Sequence, residues 1–455
     1  MFVKEHRTAV GLALLAFVVY NANLRSITSL DTLATRFVPI SVIKEFDLDL
    51  DEFPSIHTYP NWAGGASRTD AQDGDPTPYF VRRARGHYMS TYPVMSGILS
   101  VPVYVVPVLL GLTEGPPAES GYSRSEIAAT LLSKISASAA VAISVAFVYL
   151  TLLRLTSRRG AFWIALVYAF ATGSWSLSSQ GLWQSAMGQP ALALALYFLV
   201  RARENPRVIA YAGLWLAVSV ACRPSNVVFA AVLFAYVFHR YRSQVFRFLA
   251  APIVIGSLLL AYNFYYFGNL AGGYSEMVAA ETFTTFRWDA FMGLLFSPSR
   301  GLLAYSPVFI FAVLGVGKAV REKRDPIFIY AAVATVLLVL FYSFWPVWHG
   351  QFNYGYRLIV ESVPALCLLL APIVERVLSN RLTKALFIAL FAYATVIQSI
   401  GVFFYPCGWL DSPLPANTNP QRFWDWRDPE FLRCLSAGPV EPDGLRFLRE
   451  LAGKR

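Results

Sequence analysis

The chain has 455 residues, 56% of them hydrophobic and only 15% charged, with a mean hydropathy of +0.48 and a net charge of +10. Soluble domains carry roughly 25% charged residues, so the composition excludes an ordinary soluble enzyme and indicates an all-α polytopic membrane protein. The positive charge does not indicate a nucleic-acid partner, because it is distributed among short loops between apolar stretches.

Apolar stretches fall near 8–23, 126–153, 160–177, 186–200, 208–222, 226–238, 248–266, 302–317, 327–345, 358–375 and 385–405, which predicts about eleven transmembrane helices. The first follows Lys4 and Arg7, as a signal peptide would, but it runs into Tyr20 and Asn23 rather than a small-residue cleavage site. An uncleaved helix is therefore expected. The segments 1–8, 154–159, 201–207, 239–247, 318–324 and 376–384 together hold eighteen Lys and Arg residues. The short loops on the other side, 174–189, 223–226, 267–301 and 346–357, hold only Arg223, Arg287, Arg300 and Arg357. Basic loops stay in the cytoplasm, so the N-terminus is predicted inside and the C-terminus outside.

Residues 25–92 form a large first loop on the outer side. Residues 93–112 are apolar enough to cross, yet a crossing there would invert every later loop. Pro93, Pro102 and Pro107 interrupt the segment, so an interfacial or re-entrant helix is expected, with a kinked span as the alternative. The predicted organisation is a membrane module over 1–405 and an outer C-terminal cap over 406–455, rich in Pro, Trp and Arg.

Within the first loop, Asp31 lies within about two helical turns of the first span's end. A carboxylate there can accept a proton from a hydroxyl or ligate a divalent cation such as Mg or Mn. Equally, it can cap a helix over 32–38. Residues 46–53 alternate acidic and apolar side chains, which predicts a strand or edge with one wet face carrying Asp47, Asp49 and Asp51. Residues 79–88 read as a short hairpin whose arginines and His87 face either a phosphate or bulk solvent.

Cys222 and Cys367 lie in apolar stretches, while Cys407 and Cys434 share the outer tail, where a disulfide is expected. Lys134, Arg223 and Glu361 are ionisable residues at or near membrane depth, which tend to face a cavity or a partner. Glu361 stands one helical turn beyond Arg357, so an i,i+4 ion pair between them is expected. No Walker loop, GxGxxG or GxSxG motif is present, which argues against a nucleotide-sugar donor and a serine hydrolase.

The chain resembles the GT-C superfamily of polytopic glycosyltransferases, in the bacterial branch that includes the aminoarabinose lipid A transferases and is related to the protein O-mannosyltransferases. The resemblance covers nearly the whole chain. It rests on the early loop acid at 29–32, on Tyr92-Pro93, and on outer-face motifs at 262–274, 294–307 and 348–357. In relatives the last motif runs nearer to Trp-x-Gly-Gly with Gly-Pro-Arg-Tyr; here Gln351 replaces a glycine and Tyr356 the proline.

The resemblance implies transfer of a sugar from a polyprenyl-phosphate carrier to an extracytoplasmic lipid, glycan or protein, at the bacterial inner membrane. By position it implies Asp31 as the base; many relatives have a second acid in this loop, but none here aligns cleanly, which leaves Asp49, Asp51 and Asp70 as candidates. It implies basic residues on the donor phosphate. Arg300 and Arg357, each beside glycine and aromatics in nearly charge-free outer loops, are the expected clamp, with snorkelling to head groups as the alternative. His349 and Arg223 are further candidates. His87, Tyr274, Glu276 and Trp183-Gln184 are candidate acceptor or sugar contacts, with membrane-interface anchoring the readier explanation of Trp183. A transporter or flippase of lipid-linked sugars is the alternative and predicts charges at mid-membrane. A non-catalytic envelope-glycan scaffold is a third reading, one that tolerates Asp31→Asn.

Overall fold

The computed structural model describes residues 2–57, 68–69, 76–114, 124–275 and 283–443. It is almost wholly helical. Phe2–Asn21, Arg124–Leu152, Arg158–Phe170, Gln184–Arg201, Ile209–Cys222, Val227–Arg240, Val245–Phe267, Ile310–Arg321, Ile327–Tyr342, Val363–Leu370 and Arg381–Phe403 meet the predicted apolar stretches in order. Three helices, Ser125–Leu152, Arg242–Phe267 and Arg381–Phe403, are long and apolar enough by themselves to cross a membrane. Several others are shorter than the ~20 residues a crossing takes, so eleven remains a count read from the sequence.

The outer faces of the bundle explain the composition. On Phe2–Asn21, Val10, Leu14 and Val18 recur every four residues and are 56%, 61% and 67% exposed. Val245–Phe267 buries almost nothing but Phe248 and presents Ile253, Leu258 and Phe264 outward. Apolar surface on that scale is stable against lipid, not water.

Polar contacts sort the loops into two sets at opposite ends of the bundle. At the basic end, Arg158 reaches the Thr8 hydroxyl at 3.1 Å and Arg154 pairs with Glu204 at 3.1 Å. There too Glu375 accepts from the Thr156 hydroxyl at 3.0 Å, and Arg203 meets Asp325 at 3.4 Å. The loops expected on one side thus share one end of the bundle. The large first loop lies at the other end.

That loop is only partly as predicted. The hairpin forms, with Val81–Ala84 antiparallel to His87–Ser90. Its two-residue turn, Arg85-Gly86, has both residues at positive φ, the geometry whose twist matches flanking strands. Residues 46–53 are not a strand; they follow Val38–Lys44 as bends and turns, with a single bridge from Asp49 to Met89. The segment is a turn wrapped on the hairpin, with Leu50 and Asp49 buried against it and Asp51 and Glu52 exposed. Residues 95–109 form the helix Met95–Leu109, with Pro102 and Pro107 inside it, packed on Val38–Lys44.

The C-terminal cap folds against the same end. Trp409 and Phe423 fill its core, Arg433 pairs with Asp428, and Cys407 and Cys434 are joined in a disulfide. Ser297 donates to the Phe423 carbonyl at 2.6 Å, which ties the cap to the bundle.

Candidate active site

Asp31 is reached through a chain segment held down on both sides. After Phe2–Asn21 ends, Asn23 donates to the Gln180 side chain at 2.8 Å and the Ile27 amide to the Gln180 carbonyl at 2.9 Å. The Trp183 indole donates to the Ile27 carbonyl at 2.9 Å. Gln180 and Trp183 stand just beyond a π-helical turn, Ser174–Ser178, a local widening often found at functional sites. The segment then tightens into the 3-10 turn Leu30–Thr32, which carries Asp31.

Asp31 does not cap a helix. One carboxylate oxygen accepts from the Tyr79 and Tyr92 hydroxyls at 2.8 and 2.9 Å, and the other pairs with Arg357. Both partners of that pair are mostly covered, 20% and 16% exposed. Tyr79 precedes the hairpin and Tyr92 follows it, so the hairpin delivers both phenols to one carboxylate. Burial alone would raise the Asp31 pKa, but the Arg357 charge and the hydrogen bonds from Arg357, Tyr79 and Tyr92 outweigh it and hold the carboxyl below its usual range. Burial and the adjacent carboxylate push both tyrosines up, so they remain donors.

Arg357 starts the turn Arg357–Ser362, and its guanidinium lies 4.4 Å from the Trp183 ring centroid. Arg223, at the end of Ile209–Cys222, donates to both oxygens of Glu361 and to the Arg357 carbonyl at 3.2 Å. Glu361 therefore pairs with Arg223 rather than with Arg357, which stays directed at Asp31. Residues 357–362 are wound as a 3-10 turn, and its tighter winding breaks the i,i+4 alignment that a regular helix would have given.

Tyr274 completes this wall. It contacts Gln184 and packs edge-on against Tyr92 at 5.7 Å. Gly273 permits that approach, because a Cβ there would stand 2.4 Å from the Thr91 carbonyl oxygen. The Asp31 carboxylate, two arginines, three phenols and an indole are thus brought together from widely separated stretches of chain.

A search of solved structures places this architecture. ArnT from Cupriavidus metallidurans bound to undecaprenyl phosphate superposes with a TM-score of 0.51 at 13% identity, over 90% of this chain and 66% of that one. The Archaeoglobus fulgidus oligosaccharyltransferase, tethered to an acceptor peptide containing the NVT sequon, gives 0.51 and 13% over 92% of this chain and 59% of that one. Both are GT-C membrane glycosyltransferases.

The chain has the GT-C fold.

At this identity the likeness concerns the fold, and the chain spans about two thirds or less of either protein's length. No family model and no curated protein matches the sequence. Within the GT-C fold the remaining expected residues separate from Asp31. Arg300 is 1% exposed, and its guanidinium lies against Glu430 of the cap. Its Nε donates to the His349 carbonyl, Nη1 to the Ser299 carbonyl and Glu430, and Nη2 to the Gln351 carbonyl and Glu430. All five N–H donors are taken, so none remains for a phosphate. Arg357, by contrast, commits one nitrogen to Asp31, and among the described residues its other donors meet no acceptor.

His349 is stacked on Phe423 at 4.2 Å, and its Nδ1 accepts from the Gln351 amide. Burial, then the charges of Arg300 and Arg287, lower its pKa to about 3, so it is neutral and not a cationic phosphate ligand. Asp49 and Asp51 share the His87 Nδ1 at 3.2 and 2.8 Å, and they make no contact with Asp31. Among the described residues these three are the group whose ligand atoms lie close enough together, within 4.8 Å, to hold a metal ion. The contacts of Asp31 are an arginine and two phenols, all hydrogen-bond donors, a set unsuited to a divalent cation. Asp70 and Glu276 lie outside the described residues. Lys134 spends its three protons on the Tyr20 carbonyl, the Ser179 carbonyl and the Gln180 side chain, so it braces the Asp31 segment instead of standing alone at mid-membrane.

Sequence reasoning did not single out Tyr79, nor Glu430. Tyr92 carried a signal, its place before Pro93 at the hairpin's exit. Glu430 carried none, since an acid in a polar tail reads as solvated.

Proposed function

We propose that this chain transfers a sugar from a polyprenyl-phosphate donor to an extracytoplasmic hydroxyl. The observation that carries the reading is the pair Asp31–Arg357, two opposite charges that lie beside two phenols, an indole and a second arginine at the loop-rich end of a GT-C bundle. The undecaprenyl phosphate bound to ArnT, a protein of the same fold, supports a lipid-phosphate donor.

In this mechanism the donor phosphate draws Arg357 away from Asp31. Losing that partner raises the basicity of the carboxylate when it is needed. Asp31 takes the proton of the acceptor hydroxyl as its oxygen bonds to the sugar C1. The C1–O bond to the phosphate breaks, and its electron pair leaves with the phosphate oxygen. Arg357, whose planar fork matches phosphate, neutralises the departing charge. Arg223 and Glu361 hold the backbone at Arg357, and Tyr274 lines the sugar side. Arg300 and His349 belong to the seating of the cap.

Mass spectrometry of polyprenyl-phosphate sugars tests this in a strain deleted for the protein and restored with wild type or Asp31→Asn at matched membrane levels. One carrier-linked sugar should accumulate on deletion, clear with wild type and persist with Asp31→Asn. Equal clearing by Asp31→Asn would sink the enzyme reading and favour the transporter or scaffold.

A further inference from the structure

The helix Gln184–Arg201 joins two distinct polar regions. Gln184 holds Tyr274 at the Asp31 end, and Arg201 closes the other end of this 18-residue helix, about 27 Å long at 1.5 Å per residue. A cavity of about 970 Å³ opens there between the loops that follow Gln184–Arg201, Val227–Arg240 and Ile310–Arg321. Its walls carry Arg203, Arg240, Arg242, Lys323 and Arg324 against the single acid Asp325.

The ion pairs within it are unevenly shared. Asp325 accepts from the Tyr236 hydroxyl at 3.1 Å and from the Ile327 amide at 2.9 Å, and it pairs with Arg203 at 3.4 Å. Its charge is thereby absorbed into the wall. Arg324 turns to Glu322 at 2.8 Å. Arg240, Arg242 and Lys323 have no acidic partner among the described residues, and all three are exposed. Ser243 and Gln244 add neutral polar groups at the same rim.

General inside positivity needs basic residues somewhere in these loops, but it does not need three loops to aim them into one cavity. The rim also continues into apolar surface: Phe246 is 88% and Phe238 49% exposed, within a few residues of Arg242. Charge below and aromatic surface beside it form the boundary where a head group meets acyl chains.

We propose that this cavity binds a phosphate-bearing anion, held by Arg240, Arg242 and Lys323, on the face of the bundle opposite Asp31. The phosphate comes either from an anionic phospholipid head group of that leaflet or from a soluble phosphate compound.

The test uses the full chain in nanodiscs and compares Arg240→Gln/Arg242→Gln/Lys323→Gln with a control carrying Arg376→Gln/Arg381→Gln/Lys384→Gln. The control removes equal charge from another loop of the same face. One arm measures phosphatidylglycerol and cardiolipin retained by native mass spectrometry. The other titrates inorganic pyrophosphate into protein in phosphatidylcholine discs. Melting temperature in each preparation shows that the variant is folded. A lipid source predicts retention weakened roughly fivefold per charge removed in the cavity variant, with the control near wild type. A soluble source predicts the same contrast for pyrophosphate alone. Equal losses in cavity variant and control, or no loss in either arm, would overturn the proposal.

Discussion

Asp31 and Arg357 stand 326 positions apart in the chain, yet they form a mostly covered ion pair in which each partner is also held by aromatic neighbours. Tyr79 and Tyr92 hold the carboxylate, and the Trp183 ring lies against the guanidinium. In the proposed mechanism an anion that competes for the arginine splits this pair.

Replacing Arg357 by lysine keeps the charge but removes the fork. Transfer by purified protein should fall about 10²-fold, the loss seen when one donor to a developing oxyanion is removed. A radiolabelled donor assay measures it, and near-wild-type transfer would remove Arg357 from the site.

Arg300 should behave in the opposite way. Arg300→Met strands Glu430, which is 2% exposed and whose pKa burial already pushes upward, so folding should weaken by ~3–5 kcal/mol. The double variant Arg300→Met/Glu430→Leu should recover most of that, with transfer per folded molecule unchanged. Thermal melts and turnover measured on the same preparations separate the two effects.

Burial raises the Asp31 pKa and the Arg357 charge lowers it; the two phenols then add to what holds the carboxyl low. Tyr92→Phe or Tyr79→Phe removes a hydrogen bond to the anion and therefore raises the folded carboxyl pKa. Activity that depends on ionised Asp31 is lost as pH falls through that pKa. The acid limb of kcat/KM should accordingly move to higher pH in either variant, and an unmoved limb would mean that another group is titrating.

His349 gives a stability signature. Its pKa is about 3 in the fold against ~6.5 unfolded, so between those values the unfolded chain binds the extra proton. Stability should be complete above about pH 6.5 and decline as pH falls toward about 3. Melts of wild type and His349→Gln across this range check it, since the variant lacks this slope.

The cap disulfide closes a loop with a sequence separation of 27, for which chain entropy gives ~3.5 kcal/mol. Cys407→Ser/Cys434→Ser should lower the melting temperature by several degrees, and reductant should do the same to wild type only.

What the sequence determined by itself is local. Apolar runs recur at helical length, and basic residues alternate from loop to loop, because each span must satisfy its own contact with lipid and each loop its own contact with water. Those requirements act within tens of residues and account for the helical class and the two sets of loops, while Asp31 stands out only beside the family resemblance, since by itself it could equally cap a helix. Choice of charge partner is not local. Arg300 and Arg357 look alike in sequence, both in nearly charge-free outer loops beside glycine and aromatics. Only the tertiary structure decides that a tail carboxylate saturates one while the other faces Asp31. Likewise, Glu361 lies one turn from Arg357 but pairs with Arg223, since residues 357–362 wind as a 3-10 turn. Desolvation makes such pairings all-or-none, because a buried charge must find a partner wherever the fold supplies one, and its distance along the chain carries no weight.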